Sequence, residues 1–261
     1  MASEHTTMVN IRMLLCNAQV EICTKEASLD STRKEIDRLI KWYKRLATQA
    51  ARRNNPKIED LSDPIRPVML VAEFRNLYSN EWTVAFQSLH KKEKNEETNY
   101  AKLFKVLQTC FKLSVEKAVK HRNDLVQMVH EKMCPPKCKW GEDNANIEAA
   151  AKEFMRSICM HSSKTIPKII LEEYNIKYGK TNQAMEVYIL KCAELCWQMI
   201  IQVPPLKLNF EIEANALFNP TCHEALGEQG NEIAFPVWPI VLREVDGQVL
   251  TKGVVVCKNI K

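Results

Sequence analysis

His130, Cys134 and Cys138 stand in an H-x3-C-x3-C spacing, and imidazole with thiolate is a donor set that suits zinc. A structural site needs four ligands, and Cys159 or His161 is a candidate for the fourth. Zinc signatures are normally paired C-x2-C units, whereas CPPKC sets three residues between its cysteines. The plainer reading is free thiols in a proline turn. Cys192 and Cys196 are one helical turn apart, but their apolar neighbours suit packing better than redox chemistry. Cys222 adjoins His223, yet a nucleophile and its base must meet in space, which adjacency does not ensure. The chain contains no G-x-S-x-G, no Walker loop and no G-x-G-x-x-G. No catalytic residue, metal or cofactor is assigned, and a zinc- or thiol-dependent enzyme using the Cys134 and Cys138 region is the alternative function.

A second chemistry is electrostatic. The net charge of +5 is concentrated between Arg33 and Lys57, where nine basic residues face two acids, Glu35 and Asp37. Within that stretch Arg38, Lys41, Lys44, Arg45, Arg52 and Arg53 accompany Trp42 and Tyr43. Anionic lipid attracts such segments by about 1 kcal/mol per basic residue near the surface, and an amphipathic helix can then lay its apolar face among the headgroups. The simpler reading is a helix that packs its apolar face inward and turns its charges to water. No recognised nucleic-acid module accompanies the basic run, so nucleic acid is not the expected partner.

The elements that would carry these residues are mostly helices. Of 261 residues, 46% are apolar, 26% are charged and only six are glycine, a soluble and helix-leaning composition. No apolar run reaches the length of a membrane span, and the start has no signal-peptide pattern. The ten cysteines sit largely in helical patterns, which points to free thiols in a reducing compartment. A first helix is predicted over about Met8–Glu26, and a second begins with Asp30 or Ser31 as cap. Its apolar set Ile36, Leu39, Ile40, Tyr43 and Leu46 has helical spacing.

After a proline-containing linker, helices are predicted from Val68 to Lys92, with a possible junction near Ser79-Asn80, and from about Asn99 to Met133. Two shorter helices follow, the second closed by Gly179, and then a helix capped by Thr181 with Val187, Leu190, Leu195 and Met199 buried. Pro204 and Pro205 end the helical part. Leu206, Leu208, Phe210 and Ile212 alternate as in a strand. The ending FPVWPIVLREVDGQVLTKGVVV offers two β runs joined by Val245-Asp246-Gly247, and Asp-Gly between β-branched runs is a hairpin signal. The expected fold is mainly α, a multi-helix domain with a small C-terminal β hairpin or sheet packed on it. Residues 1–57 form a helical segment and 58–261 the main domain, helical to about 203 with a β element over 206–257.

Three stretches carry a resemblance. They are LYSNEWTVAF with Trp82 and Phe86, CWQMIIQVPPLKLNF with Trp197, and the ending with Trp238, Gly247 and Gly253. In this order they resemble the C-terminal domain of the mitochondria-eating protein (spermatogenesis-associated) family. The resemblance implies a non-enzymatic protein of mitochondrial quality control, cytoplasmic and mitochondrion-associated. It also implies cardiolipin binding, partners on the outer mitochondrial membrane, and possible self-association. The family carries a long coiled coil before this domain, whereas only some 55 residues precede the linker here. A purely structural self-assembling domain is a further alternative. By residue type, Trp82, Phe86, Trp197 and Trp238 are expected to pack together and lock the β element onto the helices.

Overall fold

The computed structural model describes residues 19, 21–40, 63–133, 143–244 and 247–259. The chain divides into two compact units, Met1–Pro64 and Ile65–Lys261.

In the first unit, residues 21–40 form one continuous helix, α1. The break expected at Asp30 and Ser31 is not there. No proline or glycine interrupts this stretch, and Asp30 pairs with Lys34 at 2.8 Å, one turn along the same helix. The Thr32 hydroxyl donates back to the Ser28 carbonyl, so its polar group is satisfied without ending the helix.

The second unit opens with α2 (Pro67–Leu77), whose proline occupies the first turn. The chain then passes through a π-helical turn, Tyr78–Trp82, into α3 (Thr83–His90). Sequence periodicity allowed a junction here, but not a wide turn without a break. The long helix α4 spans Glu96–Met133. It starts ahead of the predicted Asn99 because the Asn95 side chain accepts from the Thr98 amide at 3.1 Å, and Glu96 and Glu97 suit the first turn. There follow α5 (Asp143–Ser157), the short α6 (Cys159–Ser162) and α7 (Ile166–Tyr178). Gly179, at φ +86°, closes α7 in a conformation that favours glycine.

Helix α8 (Gln183–Ile200) is the hub, packed on α2, α3, α4 and α7. Its cap is Asn182 rather than Thr181, and the Asn182 side chain accepts from the Met185 amide at 3.0 Å. The buried set also differs from the expected stripe. Leu195 and Met199 are buried, but Val187 is 49% exposed. Met185, Tyr188, Ile189, Cys192 and Cys196 take the inner positions instead, because helices flank α8 on several sides and a single-stripe pattern underestimates what is covered.

The C-terminal part holds six short strands in two sheets. The first sheet has the order β1 (Lys207–Asn209), β4 (Ile240–Leu242), β5 (Val249–Thr251), antiparallel throughout. The second places β6 (Gly253–Lys258) between β2 (His223–Ala225), which is parallel to it, and the antiparallel β3 (Glu232–Trp238). The predicted hairpin is therefore one long ribbon, β3–β4 against β5–β6, divided between the sheets at Pro239 and Lys252. Proline has no amide to donate to a ladder, which suits this break. At the tip, the Gly247 amide donates to the Glu244 carbonyl at 3.1 Å, while Val245 and Asp246 lie outside the described residues. The strand expected over Leu206–Ile212 is only three residues long, because β1 pairs only with β4 and Phe210 turns to pack on α4.

Gly253 lies where the ribbon crosses from one sheet to the other. A Cβ there would stand 2.9 Å from the Trp238 carbonyl oxygen and 3.3 Å from the Ile240 nitrogen, both backbone atoms. At Gly247 the nearest atom is the flexible Glu244 Cγ, at 2.7 Å. Urea denaturation of Gly253→Ala is expected to show a loss of about 1–3 kcal/mol, the usual range for overpacking. Gly247→Ala should lose clearly less, and equal losses would refute the crossing constraint.

Candidate functional site

The candidate metal ligands are only partly described. His130 lies in the last turn of α4, and Cys134 and Cys138 fall outside the described residues. Cys159 is buried, with Sγ 3.5 Å from the Ser163 hydroxyl, whereas His161 is exposed on the same short helix. Among the described residues, no group of three or more His, Cys, Asp or Glu side chains could hold a metal ion.

Cys192 and Cys196 are fully buried on α8, and burial pushes both thiols well above their ordinary range. The reactive form of a cysteine is the thiolate, so these side chains serve as core. Cys110 joins them from α4, its thiol 3.8 Å from the Ile189 carbonyl. Cys222 has Thr221 and Asn219 as polar neighbours, at 3.5 and 3.9 Å, and makes no hydrogen bond with His223 among the described residues. The His223 imidazole is held below its ordinary pKa by burial, partly offset by the nearby Asn219 backbone carbonyl, which favours the protonated ring. Its Nδ1 is buried without a partner.

The aromatic residues make the most extended constellation. Trp238, at the end of β3, packs its ring on Phe74 at 4.7 Å and on Tyr78 at 5.1 Å. Tyr78 meets Trp82 at 4.8 Å, and Trp82 stacks on Phe86 at 5.4 Å with planes 6° apart. Tyr100 of α4 closes the stack against Phe86 and Trp82 and reaches Phe235 of β3 at 6.0 Å. The π-turn falls within this column. It adds a residue to the helical circuit, so Tyr78, Trp82 and Phe86 follow one another along the buried side. Burial, and secondarily the charges of Tyr100 and Glu224, raises the Tyr78 hydroxyl to about 12, so it stays protonated.

Trp197 does not join this column, contrary to the expected four-residue packing. It faces the other side of α8, where its Nε1 donates to the Ser162 hydroxyl at 2.9 Å and its ring meets His121 edge-on at 5.9 Å. A helix end that packs on several neighbours turns adjacent residues toward different partners, and spacing alone could not say which. Tyr100, Phe235 and the Arg75–Thr251 hydrogen bond of 2.7 Å were not singled out from the sequence. The alternation that marks β3 was the only available signal for Phe235.

Of the basic constellation, Arg38 is described. It is exposed near the end of the described part of α1 and is ion-paired with Glu35 at 2.9 Å. Lys41, Trp42, Lys44, Arg45, Arg52 and Arg53 lie outside the described residues. No helix among the described residues is long and apolar enough to cross a membrane.

The family model for mitochondria-eating protein matches residues 66–257, from the start of α2 to the last strand. The chain belongs to the mitochondria-eating protein family. No curated protein and no solved structure matches it. Membership in the mitochondria-eating protein family implies a role in mitochondrial quality control. Within the matched region, the three stretches of resemblance fall on the π-turn with α3, on the end of α8 with β1, and on the ribbon.

Two outcomes are expected. Trp238→Ala should cost about 3–5 kcal/mol in chemical denaturation, the range for removing a buried large aromatic; an unchanged midpoint would refute the anchoring role. For His223, the folded-state pKa lies below its ordinary 6.5, so the contribution is present above that value and is lost as pH falls through the folded pKa. His223→Gln should therefore show a shallower fall in stability than the parent below pH 6.5, measured as urea midpoint against pH.

Proposed function

We propose that this chain is a non-enzymatic adaptor or binding module of mitochondrial quality control. In this reading it engages an anionic, cardiolipin-like lipid surface through its basic helical segment. Its protein contacts are with outer mitochondrial membrane proteins or with further copies of itself. Residues 1–57 supply the lipid-facing segment and 58–261 the folded adaptor domain.

Family membership supports the quality-control setting. The observation that carries the lipid reading is on α1, where Ile36, Leu39 and Ile40 are 51%, 54% and 46% exposed beside Arg38. Apolar side chains left in water next to cationic ones form an interaction surface, and both kinds are what a headgroup layer accepts. The sequence continues the pattern through Lys41, Trp42, Lys44 and Arg45. The buried, protonated thiols of α8 support a role in binding rather than in thiol chemistry.

Co-sedimentation with liposomes containing cardiolipin tests the proposal. Replacing Arg38, Lys41, Lys44 and Arg45 by glutamine should weaken binding by about tenfold or more at low salt, given the contribution of each charge near an anionic surface. Added salt should weaken the parent protein in the same direction. Equal binding by the neutralised variant would remove the basic helix from the function.

A further inference from the structure

Further along α4 from the aromatic column, a recess of about 220 Å³ opens between α4, α5 and the end of α8. Val115, Ala118 and Val119 form one wall, Met155 the floor on the α5 side, and Ile201 and Pro205 the other wall. A dry apolar cavity of roughly 150 Å³ already takes up a benzene ring, so there is room for the end of an alkyl chain. Met155 also borders a second recess of about 300 Å³, where Met128, Phe154, Ile158 and Trp197 continue the apolar lining. A flexible methionine between two recesses is a surface that adapts to an unbranched chain.

The charged lining of the first recess is Arg122 and Lys152. No carboxylate lines it, and neither cation makes an ion pair or hydrogen bond among the described residues. Many cations elsewhere in the chain are paired, as Lys117 is with Glu173 at 2.6 Å. Asp124 borders the second recess, two positions from Arg122, and residues so spaced on a helix do not face each other. Two unpaired cations at the mouth of an apolar slot complement a negative head carried on a hydrocarbon tail.

We propose that this recess binds a single-chain anionic amphiphile, an alkyl carboxylate or monoalkyl phosphate. Arg122 and Lys152 hold the head, and the tail lies along Val115, Ala118, Val119 and Met155. Arginine offers paired N–H donors that match either head group. This site is distinct in sequence and in ligand form from the basic segment around Arg38, and neither depends on the other.

Isothermal titration of the full chain with dodecanoate and with monododecyl phosphate, both below their micellar concentrations, tests the site. Dodecyltrimethylammonium is the cationic comparison. Both anions should bind, and the cation should bind at least about tenfold more weakly. The surface double substitution R122Q/K152Q should weaken the anions by about tenfold or more with the thermal midpoint unchanged. Ala118→Leu, which fills the slot, should weaken them with the charges intact. A preference for carboxylate or phosphate identifies the head. No binding of either anion, equal binding of the cation, or unchanged affinity in R122Q/K152Q would overturn the proposal. Both variants keep the Arg38–Arg45 segment, so the liposome experiment and this one fail independently.

Discussion

The burial of Trp238 against Phe74 and Tyr78 joins the short strands to the helical body. Most strands of the two sheets have only three residues, and isolated short ladders are marginal in water. They persist because the ribbon is pinned along its length. Trp238 enters the helical core, Arg75 reaches Thr251, and Phe235 meets Tyr100. Below them Leu206 and Leu208 are buried, and Phe210 sits edge-on to Phe104. The helices in turn gain a lid over α2 and the start of α4 that solvent would otherwise wet.

This dependence accounts for the two local irregularities. The π-turn at Tyr78–Trp82 shifts the phase of Trp82 and Phe86 relative to Phe74 beneath Trp238. The Thr83 hydroxyl donates to the Tyr78 carbonyl at 3.3 Å, taking up an acceptor in the widened turn. The Trp82 Nε1 is left without a partner among the described residues, so ring stacking rather than hydrogen bonding holds this indole. Gly253 answers the same constraint from the other side, since the strands next to Trp238 approach too closely for a side chain.

Around α8 the interior is unreactive. Tyr188 donates to the Leu103 carbonyl at 3.3 Å, Trp197 to Ser162, and Gln202 to the Gln198 carbonyl at 2.9 Å, which ties α8 to its neighbours and closes its own last turn. The thiols lie among apolar side chains, where ionisation is unfavourable. These buried groups hold the helices together, and the family to which the chain belongs has its place in mitochondrial quality control.

Sequence periodicity was sufficient for most helices and for the β ending, because each depends on contacts a few residues apart. Helical spacing in α4 and α7, Gly179 as a stop, and the β-branched runs around Gly247 are local signals. The family blocks around Trp82, Trp197 and Trp238 were likewise legible as strings. Local signals misled where another contact, within the helix at Asp30 or across the fold elsewhere, decided. The helix did not stop at Asp30, Val187 stayed outside, and Trp197 turned away from the other tryptophans. The sequence by itself determined most of the helices, the β ending and where the cationic residues lie in the chain. Only the tertiary structure decided the division of the ribbon between two sheets, the aromatic column, and the bringing of Arg122 and Lys152 to one apolar recess. Those features join residues far apart in the chain, and their energies come from burial and charge proximity that no short window of sequence contains.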